Sequence, residues 1–343
     1  MSTAIDSWFI RLATSADVST IFQLIQSLAD YEKLSHEVVG SERLLADHLF
    51  GPHAFVEVLL AEVTEQGSLK IAGFALYFRT YSTYRTGPGI YLEDLFVKPA
   101  YRHQGIGKAL FVRLAQRAID QNYTYINWSV LDWNEMAIAF YQRIGAIINS
   151  KCRICRINGD ALQQLAQQLQ KFSGSQISLS SVTINPVTEQ TVISLFKNIQ
   201  ANAAFHNDLD AVVGSSTKLQ QHLFEPSPAF EAIVAVEQEQ GETVGIATFS
   251  QTYSTFLTQP GLYLEDLFVP ESKRKQGIGT SLLSKIAQIA VERNCGRLEW
   301  LVQYWNTDAI DFYQKNGAAI LPDWRRCELA DQALYALAQS ASA

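Results

Sequence analysis

Apolar residues along the chain follow the period of a helix in some segments and that of a β-strand in others. The same order of helical and strand segments occurs twice. Apolar residues spaced as on one helix face, such as Val18, Ile21 and Ile25, predict a helix over 15–30. Segments rich in Val, Ile, Phe and Tyr predict β-strands. In the first half the predicted strands are 8–12, 55–63, 71–81, 91–97, 125–131 and 147–157, and the further predicted helices are 107–121, 135–144 and 160–170. Each half is therefore expected to be a mixed α/β layer.

One nine-residue string occurs in both halves with a single conservative change. The segments Gly89–Val97 and Gly261–Val269 both read Gly-Ile/Leu-Tyr-Leu-Glu-Asp-Leu-Phe-Val, and they lie 172 residues apart. The same offset relates the Trp-Asn pair at Trp133 to the pair at Trp305. An offset that is kept over so long a stretch indicates a duplicated domain.

A stretch rich in Ser and Gly separates the two copies. Residues 173–181 carry little apolar pattern, which is typical of a linker. The length of 343 residues fits two domains of roughly 150 residues each. We therefore predict an N-terminal domain over 1–172, a linker over 173–181 and a C-terminal domain over 182–343.

Composition narrows the class of protein. The chain is 48% hydrophobic and 18% charged, has no apolar run of transmembrane length and begins without a secretory signal, so a cytoplasmic globular protein is expected. A net charge of -7 argues against a nucleic-acid binder, because phosphate binding needs clustered Lys and Arg. Cys152 and Cys155 form a CxxC pair, but no second pair follows at zinc-site spacing. We interpret both as strand residues and expect no metal site.

Two glycine-rich turns carry the first chemical signal. Each follows a predicted strand and opens a predicted helix, at 105–107 and at 277–279. Glycines let the backbone approach a ligand closely, and the N–H groups at a helix start suit a pyrophosphate. The spacing lacks both the Gly-Lys-Ser/Thr end of a P-loop and the third Gly of a dinucleotide fingerprint. A different phosphate-bearing ligand is therefore expected.

The two turns and the segments around them resemble the GNAT superfamily of acyl-CoA-dependent N-acyltransferases. Residues 102–107 and 274–279 match its motif Arg/Gln-x-x-Gly-x-Gly/Ala. The Tyr-Leu-Glu-Asp-Leu-Phe-Val strand, the Trp-Asn turn and the Phe-Tyr-x-x-x-Gly-Ala helix end resemble its diamine acetyltransferase group, which includes polyamine and thialysine acetyltransferases. The resemblance implies an α/β (α+β) fold of two tandem GNAT domains, each with a mixed, mostly antiparallel central sheet flanked by helices.

The resemblance also implies an acetyl-CoA site in each half. The backbone at the end of the repeated strand would hold the acyl carbonyl and pantetheine arm, where two strands splay apart, and the glycine-rich turn would take the pyrophosphate. A carbonyl polarised by a fixed N–H is a better electrophile. The residues implied in CoA binding are Phe96, Val97, Arg102, Gln104, Gly105, Ile106, Gly107, Lys108 and Asn134 in the first half and Phe268, Val269, Arg274, Gln276, Gly277, Ile278, Gly279, Thr280 and Asn306 in the second.

Acyl transfer to an amine needs a base and an acid, because the amine must lose a proton and the departing thiolate must gain one. Similarity to the family assigns the acid to Tyr141 or Tyr313. A neutral Tyr, with a pKa of roughly 10, is a reasonable donor to a thiolate. The candidate base, acting through water, is Glu93 or Glu265.

A second carboxylate follows each candidate base. Asp94 and Asp266 match the substrate-side carboxylates of the family. Adjacent strand residues normally point to opposite faces, so Glu93 and Asp94 reach one pocket only if the strand is bulged there. The hypothesis therefore requires a bulge at this point.

The other substrate-side features are divided between the halves. Glu32 lies in a Tyr-Glu-Lys-Leu stretch that matches the family, whereas the second half has a divergent segment at 205–208. Trp324 resembles a late Trp of the family, whereas the first half has Cys152 at the matching position. Neither half keeps every substrate-side feature, while both keep every CoA-side one.

These observations lead to one enzymatic hypothesis with two alternatives. We hypothesise transfer of an acetyl group from acetyl-CoA to a primary amine of a small molecule by direct attack in a ternary complex, with the first half the more active. Ser82 and Ser254 stand where polyamine enzymes place an acidic residue, which favours a smaller amine. The alternatives are acetylation of a protein Lys or N-terminus, and a non-catalytic acyl-CoA-binding role for one half. Because related enzymes are homodimers, we expect a monomer whose halves pack as an intrachain pseudo-dimer.

Overall fold

The computed structural model describes residues 7–172 and 182–340. The first half forms β1 (Ser7–Leu12), α1 (Val18–Glu32), α2 (Glu42–Phe50), β2 (Val56–Glu65), β3 (Ser68–Ser82), β4 (Gly87–Val97), α3 (Ile106–Asp120), β5 (Tyr125–Leu131), α4 (Glu135–Arg143), β6 (Ile147–Asn149), β7 (Cys152–Asn158) and α5 (Gly159–Phe172). The second half forms β8 (Val182–Pro186), α6 (Val192–Phe205), α7 (Ser216–Leu223), β9 (Glu231–Glu237), β10 (Thr243–Ser254), β11 (Gln259–Phe268), α8 (Ile278–Glu292), β12 (Arg297–Gln303), α9 (Thr307–Lys315), β13 (Ala319–Leu321), β14 (Trp324–Ala330) and α10 (Asp331–Gln339).

Two elements differ from the sequence prediction. Helix α2 was not predicted; it begins after Ser41, whose hydroxyl accepts a hydrogen bond from the Leu44 N–H at 3.3 Å. The single strand predicted over 147–157 is wrong, because the chain turns between β6 and β7. The Asn149 side-chain oxygen accepts a hydrogen bond from the Lys151 N–H at 2.8 Å, which stabilises that turn.

The strands form two seven-stranded sheets, ordered β1-β2-β3-β4-β5-β14-β6 and β13-β7-β12-β11-β10-β9-β8. The pairs β4–β5 and β11–β12 are parallel, and the other neighbours are antiparallel. Helices α3 and α8 pack against the strands of their own halves. The prediction of two mixed, mostly antiparallel sheets flanked by helices is confirmed.

Each half gives its last strand to the sheet of the other half. Strand β7 pairs with β12, from Cys152 opposite Gln303 to Asn158 opposite Arg297. Strand β14 pairs in the same way with β5, from Trp324 opposite Leu131 to Ala330 opposite Tyr125. The helices that follow are exchanged too, since α5 packs on α8 and α10 packs on α3.

The exchange also mixes the two main hydrophobic cores. Cys327 and Leu329 of β14 are fully buried in the core of the first sheet, beside Trp128. Cys155 and Ile157 of β7 are buried in the core of the second sheet. The interpretation of Cys152 and Cys155 as strand residues is confirmed, since both lie in β7. The predicted linker lies outside the described residues, so the domain boundaries at 172 and 182 stay a prediction.

Two properties of the described ranges limit the kinds of site they hold. No helix in residues 7–172 and 182–340 is long and apolar enough to cross a membrane. The same residues contain no group of three or more His, Cys, Asp or Glu placed to hold a metal ion.

A matched pair of truncations tests the exchange. Leu329→Ala is expected to lower the free energy of unfolding by about 2 to 5 kcal/mol, the usual cost of a cavity in a core. Because Leu329 lies beside β5, amide hydrogen exchange should accelerate in β5 of the first half. Ile157→Ala, at the repeat-related position, should instead accelerate exchange in β12. Faster exchange of β12 in Leu329→Ala would contradict the exchanged topology.

Candidate active site

A bulge interrupts β4 where the two neighbouring carboxylates lie. Asp94 is opposite Leu76 of β3 and Leu92 is opposite Tyr77, so Glu93 is an extra residue on its strand. The bulge breaks the alternation of side chains, and both Glu93 and Asp94 line one large cavity. The bulge that the hypothesis required is therefore present. Strand β11 has the same register shift at Glu265.

The parallel pair β4–β5 opens immediately before the bulge. The two strands pair at Ile90, Tyr91 and Leu92 and at no later residue of β4. Strands β11 and β12 likewise pair only at Leu262 and Tyr263. Beyond these points the backbone of residues 93–97 has no strand partner on the β5 side. Its polar groups are therefore available to a ligand that enters the opening.

The glycine-rich turns have the geometry of a phosphate cradle. Gly105 and Gly277 begin α3 and α8 with φ of 81° and 84°, in the left-handed region that favours glycine. A Cβ on Gly107 would meet no protein atom closer than 3.9 Å, and one on Gly279 none closer than 3.5 Å. Protein packing therefore does not demand these two glycines. The bare helix start fits a pyrophosphate, so the residues present suit a CoA ligand.

Several residues predicted to bind CoA also make contacts within the protein. The Arg102 Nε donates to the Val97 carbonyl at 2.9 Å, and its guanidinium covers the Tyr31 ring at 4.6 Å. The Asn134 side-chain oxygen accepts from the Ala137 N–H at 3.2 Å and caps α4. Arg274 and Asn306 repeat both arrangements in the second half. These residues shape the opening, and their contact with CoA stays a prediction.

The candidate acids are buried aromatic residues on short helices. Tyr141 of α4 packs against Trp128 with ring centroids 4.9 Å apart, and Tyr313 of α9 packs against Trp300 at 4.7 Å. Burial raises the pKa of both hydroxyls. Tyr141 lines the large cavity and is therefore a neutral donor at its wall.

The large cavity, of about 800 Å³, is built from both halves. The first half contributes the splayed strand, the glycine-rich turn and Glu32. The exchanged strand β14 contributes Trp324, and the β10–β11 connection contributes Thr255 and Leu257. Glu32, which only the first half has, and Trp324, which only the second half has, thus line the same cavity. Of the predicted first-half residues, the cavity wall includes Glu32, Glu93, Asp94, Phe96, Val97, Arg102, Gly105, Ile106, Gly107, Lys108, Asn134 and Tyr141.

Three carboxyl groups line one part of the large cavity: Asp94 is buried, and Glu32 and Glu93 are half-buried beside it. Burial, with the charge of Glu93 nearby, raises the pKa of Glu32 to about 7. Burial and the same charge raise the pKa of Asp94 well above its usual value. One carboxylate oxygen of Asp94, Oδ2, has no hydrogen-bond partner among the described residues. A protonated amine would supply the missing donor and charge.

One residue at this wall was not foreseen. Arg297 of β12 lines the large cavity and donates from Nη2 to Glu93 Oε1 at 2.8 Å. Burial raises the pKa of Glu93, and the Arg297 charge opposes that rise. The repeat holds a signal that could have found it, since position 297 is an Arg where the first half has Tyr125. Its side chain reaches the first site only through the packing of the halves.

The corresponding place in the second half is nearly filled. Its cavity, here the small cavity, measures about 60 Å³ and is lined by Asn202, His206, Glu265 and Tyr313 among others. Asp266 accepts hydrogen bonds from Asn202 Nδ2 at 3.0 Å and from Thr248 Oγ1 at 2.7 Å. Its carboxylate therefore already has donors from the protein.

Apolar residues take the place of those donors in the first half. Tyr31 and Phe205 lie at equivalent points, each at 4.6 Å beneath an arginine. By this equivalence Leu28 matches Asn202, and Glu32 matches His206. Leu76 faces Asp94 where Thr248 faces Asp266. Among the described residues Oδ2 of Asp94 is thus left without a donor, whereas Asn202 and Thr248 both donate to Asp266.

The candidate base of the second half has a raised pKa, although its side chain keeps contact with solvent. The protein around the carboxyl group and the nearby charge of Asp266 raise the pKa of Glu265 to about 8, and the Arg326 charge opposes that rise. Tyr125 lies near it at the position that Arg297 occupies near Glu93, and its hydroxyl has no partner among the described residues. A raised pKa favours the protonated form, which cannot accept a proton from an amine.

Comparison with known proteins identifies the family of this chain. The model of the acetyltransferase (GNAT) family matches residues 23–146 and 202–318. Among solved structures, a tandem GNAT protein from the clavulanic acid biosynthesis pathway superposes with a TM-score of 0.50 at 15% identity, covering 94% of this chain and 98% of that one. That likeness shows a shared fold.

Two curated relatives are similar to about half of this chain over most of their own length. The thialysine N-epsilon-acetyltransferase of Sus scrofa is 39% identical over 168 residues, which is 47% of this chain and 98% of that protein. The L-ornithine N5-acetyltransferase of Arabidopsis thaliana is 32% identical over 197 residues, which is 46% of this chain and 86% of that protein.

The raised pKa of Glu265 predicts a pH-dependent stability. The folded pKa of about 8 exceeds the ordinary value of 4.5, so folding is increasingly penalised as pH rises between the two. Near pH 9 Glu265→Gln should therefore raise the free energy of unfolding, by less than the full pKa shift implies because the exposed Glu265 side chain is screened by solvent, and near pH 4.5 it should change little. Denaturant titration measures both. Glu93→Gln should gain less at high pH because Arg297 already offsets its charge; an equal gain for Glu265→Gln at both pH values would contradict the assignment.

Proposed function

Because the chain belongs to the acetyltransferase (GNAT) family, we propose that its first half transfers an acetyl group from acetyl-CoA to a primary amine of a small cationic molecule. One observation carries the proposal. The large cavity joins the glycine-rich turn to the buried carboxyl group of Asp94, whose Oδ2 has no hydrogen-bond partner among the described residues, and the carboxyl groups of Glu32 and Glu93 line the same cavity. Such a wall attracts an ammonium group and leaves Asp94 to hold it.

The residues at the wall divide the proton transfers between them. Bound acetyl-CoA supplies a thioester carbonyl that an amine nitrogen attacks, forming the C–N bond as the C–S bond breaks. Glu93 accepts, through water, the proton that the bound ammonium must lose before its nitrogen can attack, and the second proton, lost as the amide forms, replaces the one that Tyr141 gives up. The neutral Tyr141 hydroxyl donates a proton to the departing sulfur. Both groups end the reaction ready to exchange protons with solvent.

The amine is proposed to be a side-chain amine of an amino-acid-like molecule. The relatives act, by name, on thialysine and L-ornithine. Ser82 and Ser254 replace the acidic residue that the resemblance places in polyamine enzymes. The wall that Thr255 and Leu257 of the second half contribute encloses the amine side, which supports a small molecule over a protein segment.

The second half is proposed to retain the CoA cradle without turnover. Its glycine-rich turn has the geometry of the first, but Asp266 already accepts hydrogen bonds from Asn202 and Thr248, and the pKa of Glu265 is raised. The small cavity of about 60 Å³ has little room for an amine. This arrangement favours one catalytic and one binding half.

A matched pair of substitutions tests the function. Asp94→Asn should raise the KM for the amine about 10- to 100-fold, because a charge-assisted hydrogen bond to the ammonium is lost. Asp266→Asn should leave kcat and KM unchanged. Thiol release is measured with ornithine, thialysine, lysine and spermidine, and calorimetric titration of acetyl-CoA reports binding separately. Absence of turnover by the wild-type chain with all these amines and with peptide amines would overturn the proposal.

We also propose that the chain is a monomer. The exchanged strands β7 and β14 find their partners within the same chain. Light scattering on a size-exclusion column should therefore give a mass near 38.3 kDa. A stable species of twice that mass at low protein concentration would contradict this expectation.

A further inference from the structure

A row of alternating charges runs from the exchanged strand β7, through β12 of the second half, to the candidate base of the first half. Arg156 of β7 pairs with Glu299 of β12 at 2.7 Å. Glu299 pairs with Arg297 at 2.9 Å, and Arg297 pairs with Glu93 of β4 at 2.8 Å. Two arginines and two glutamates thus form a neutral row along the wall of the large cavity.

The end of this row is held in one geometry. Arg297 Nη2 donates both to Glu93 Oε1 at 2.8 Å and to the Tyr253 carbonyl at 2.9 Å. The side chains of Arg297 and Glu93 are each only 11% exposed. An ion pair with so little solvent contact is screened weakly and restricts both side chains. The carboxylate of Glu93 is therefore fixed in place at the bulge.

No equivalent row exists at the corresponding place among the described residues of the second half. The repeat places Tyr125 where the other copy has Arg297, and Asn127 where it has Glu299. Tyr125 is buried and offers Glu265 a neutral hydroxyl only. The two candidate bases therefore differ in a neighbour that each receives from the opposite half.

We propose that Arg297, supplied by the second half, is a positioning residue that orients Glu93 and keeps it ionised for the amine transfer of the first half. The inference rests on the proposed function. It assigns the second half a task in catalysis: the first site lacks an ionised, oriented base without the strand β12 beside it.

The charges around Glu93 determine the direction of the effect. The carboxyl groups of Glu32, Asp94 and Glu299 and the burial of Glu93 favour its protonated form. Arg297 and Arg156 favour the ionised form. Tyr91 and Tyr253 also face Glu93, and burial keeps their hydroxyls neutral. Loss of Arg297 therefore raises the pKa of Glu93, and loss of Glu299 lowers it.

The test is the pH profile of kcat/KM for amine acetylation. In Arg297→Met the acid limb should move upward by about 1 to 3 pH units, the usual effect of one opposite charge at close range. Arg297→Lys keeps the charge and should restore most of the limb's position. Glu299→Gln should move the limb in the opposite direction. Tyr125→Phe, at the repeat-related position, should leave the profile unchanged.

The outcomes separate this inference from the proposed function. A wild-type chain without turnover would overturn the function and the inference together. A wild-type chain with turnover and an unmoved acid limb in Arg297→Met and Glu299→Gln would overturn the inference alone. A uniform loss of rate at every pH in Arg297→Met, without rescue by Lys, would also overturn it, since a purely structural role predicts that result. Should Arg297→Met fail to fold, Glu299→Gln still decides: a downward shift of its acid limb supports the inference, and an unmoved limb overturns it.

Discussion

The exchange of the last strand between the two sheets is the constraint on which the rest of the structure depends. Each sheet must satisfy the backbone groups of its fifth strand, and it does so with a strand from the opposite half. Side chains on β14 of the second half therefore reach the first site, and side chains on β7 of the first half lie in the second sheet. For this reason Trp324 lines the large cavity of the first site, and Cys152 pairs into the second sheet.

The exchange lets two similar halves diverge without either losing its fold. The CoA-side geometry depends on local turns, so both halves keep it. The amine side depends on residues that meet across the halves, and there a few changes decide the chemistry. Asn202 and Thr248 donate to Asp266 in the second site, whereas Leu28 and Leu76 offer Asp94 no donor and its Oδ2 has no partner among the described residues. A buried carboxylate oxygen without a donor costs free energy that a bound ammonium can recover.

Burial of several carboxyl groups in one cavity sets the electrostatic problem of the first site. Glu32, Glu93 and Asp94 each resist ionisation because they lie out of solvent and close together. The row of charges that ends at Arg297 relieves this at Glu93, the residue that we propose accepts a proton. The first site thus combines a glutamate held by an arginine with two further carboxyl groups.

The sequence by itself determined the duplication, the fold class and the CoA cradle, because these rest on local pattern: repeated strings, strand and helix periods, and glycines at helix starts. It also indicated the bulge at Glu93, since two adjacent carboxylates cannot otherwise share a pocket. Only the tertiary structure showed that Trp324 of the second half lines the cavity of the first site and that Arg297 lies against Glu93. Strand order and contacts between the halves depend on pairing between residues far apart in the sequence. Contacts between residues far apart in the sequence produce no periodic pattern, so the residues around the proposed amine site could be identified only from the folded structure.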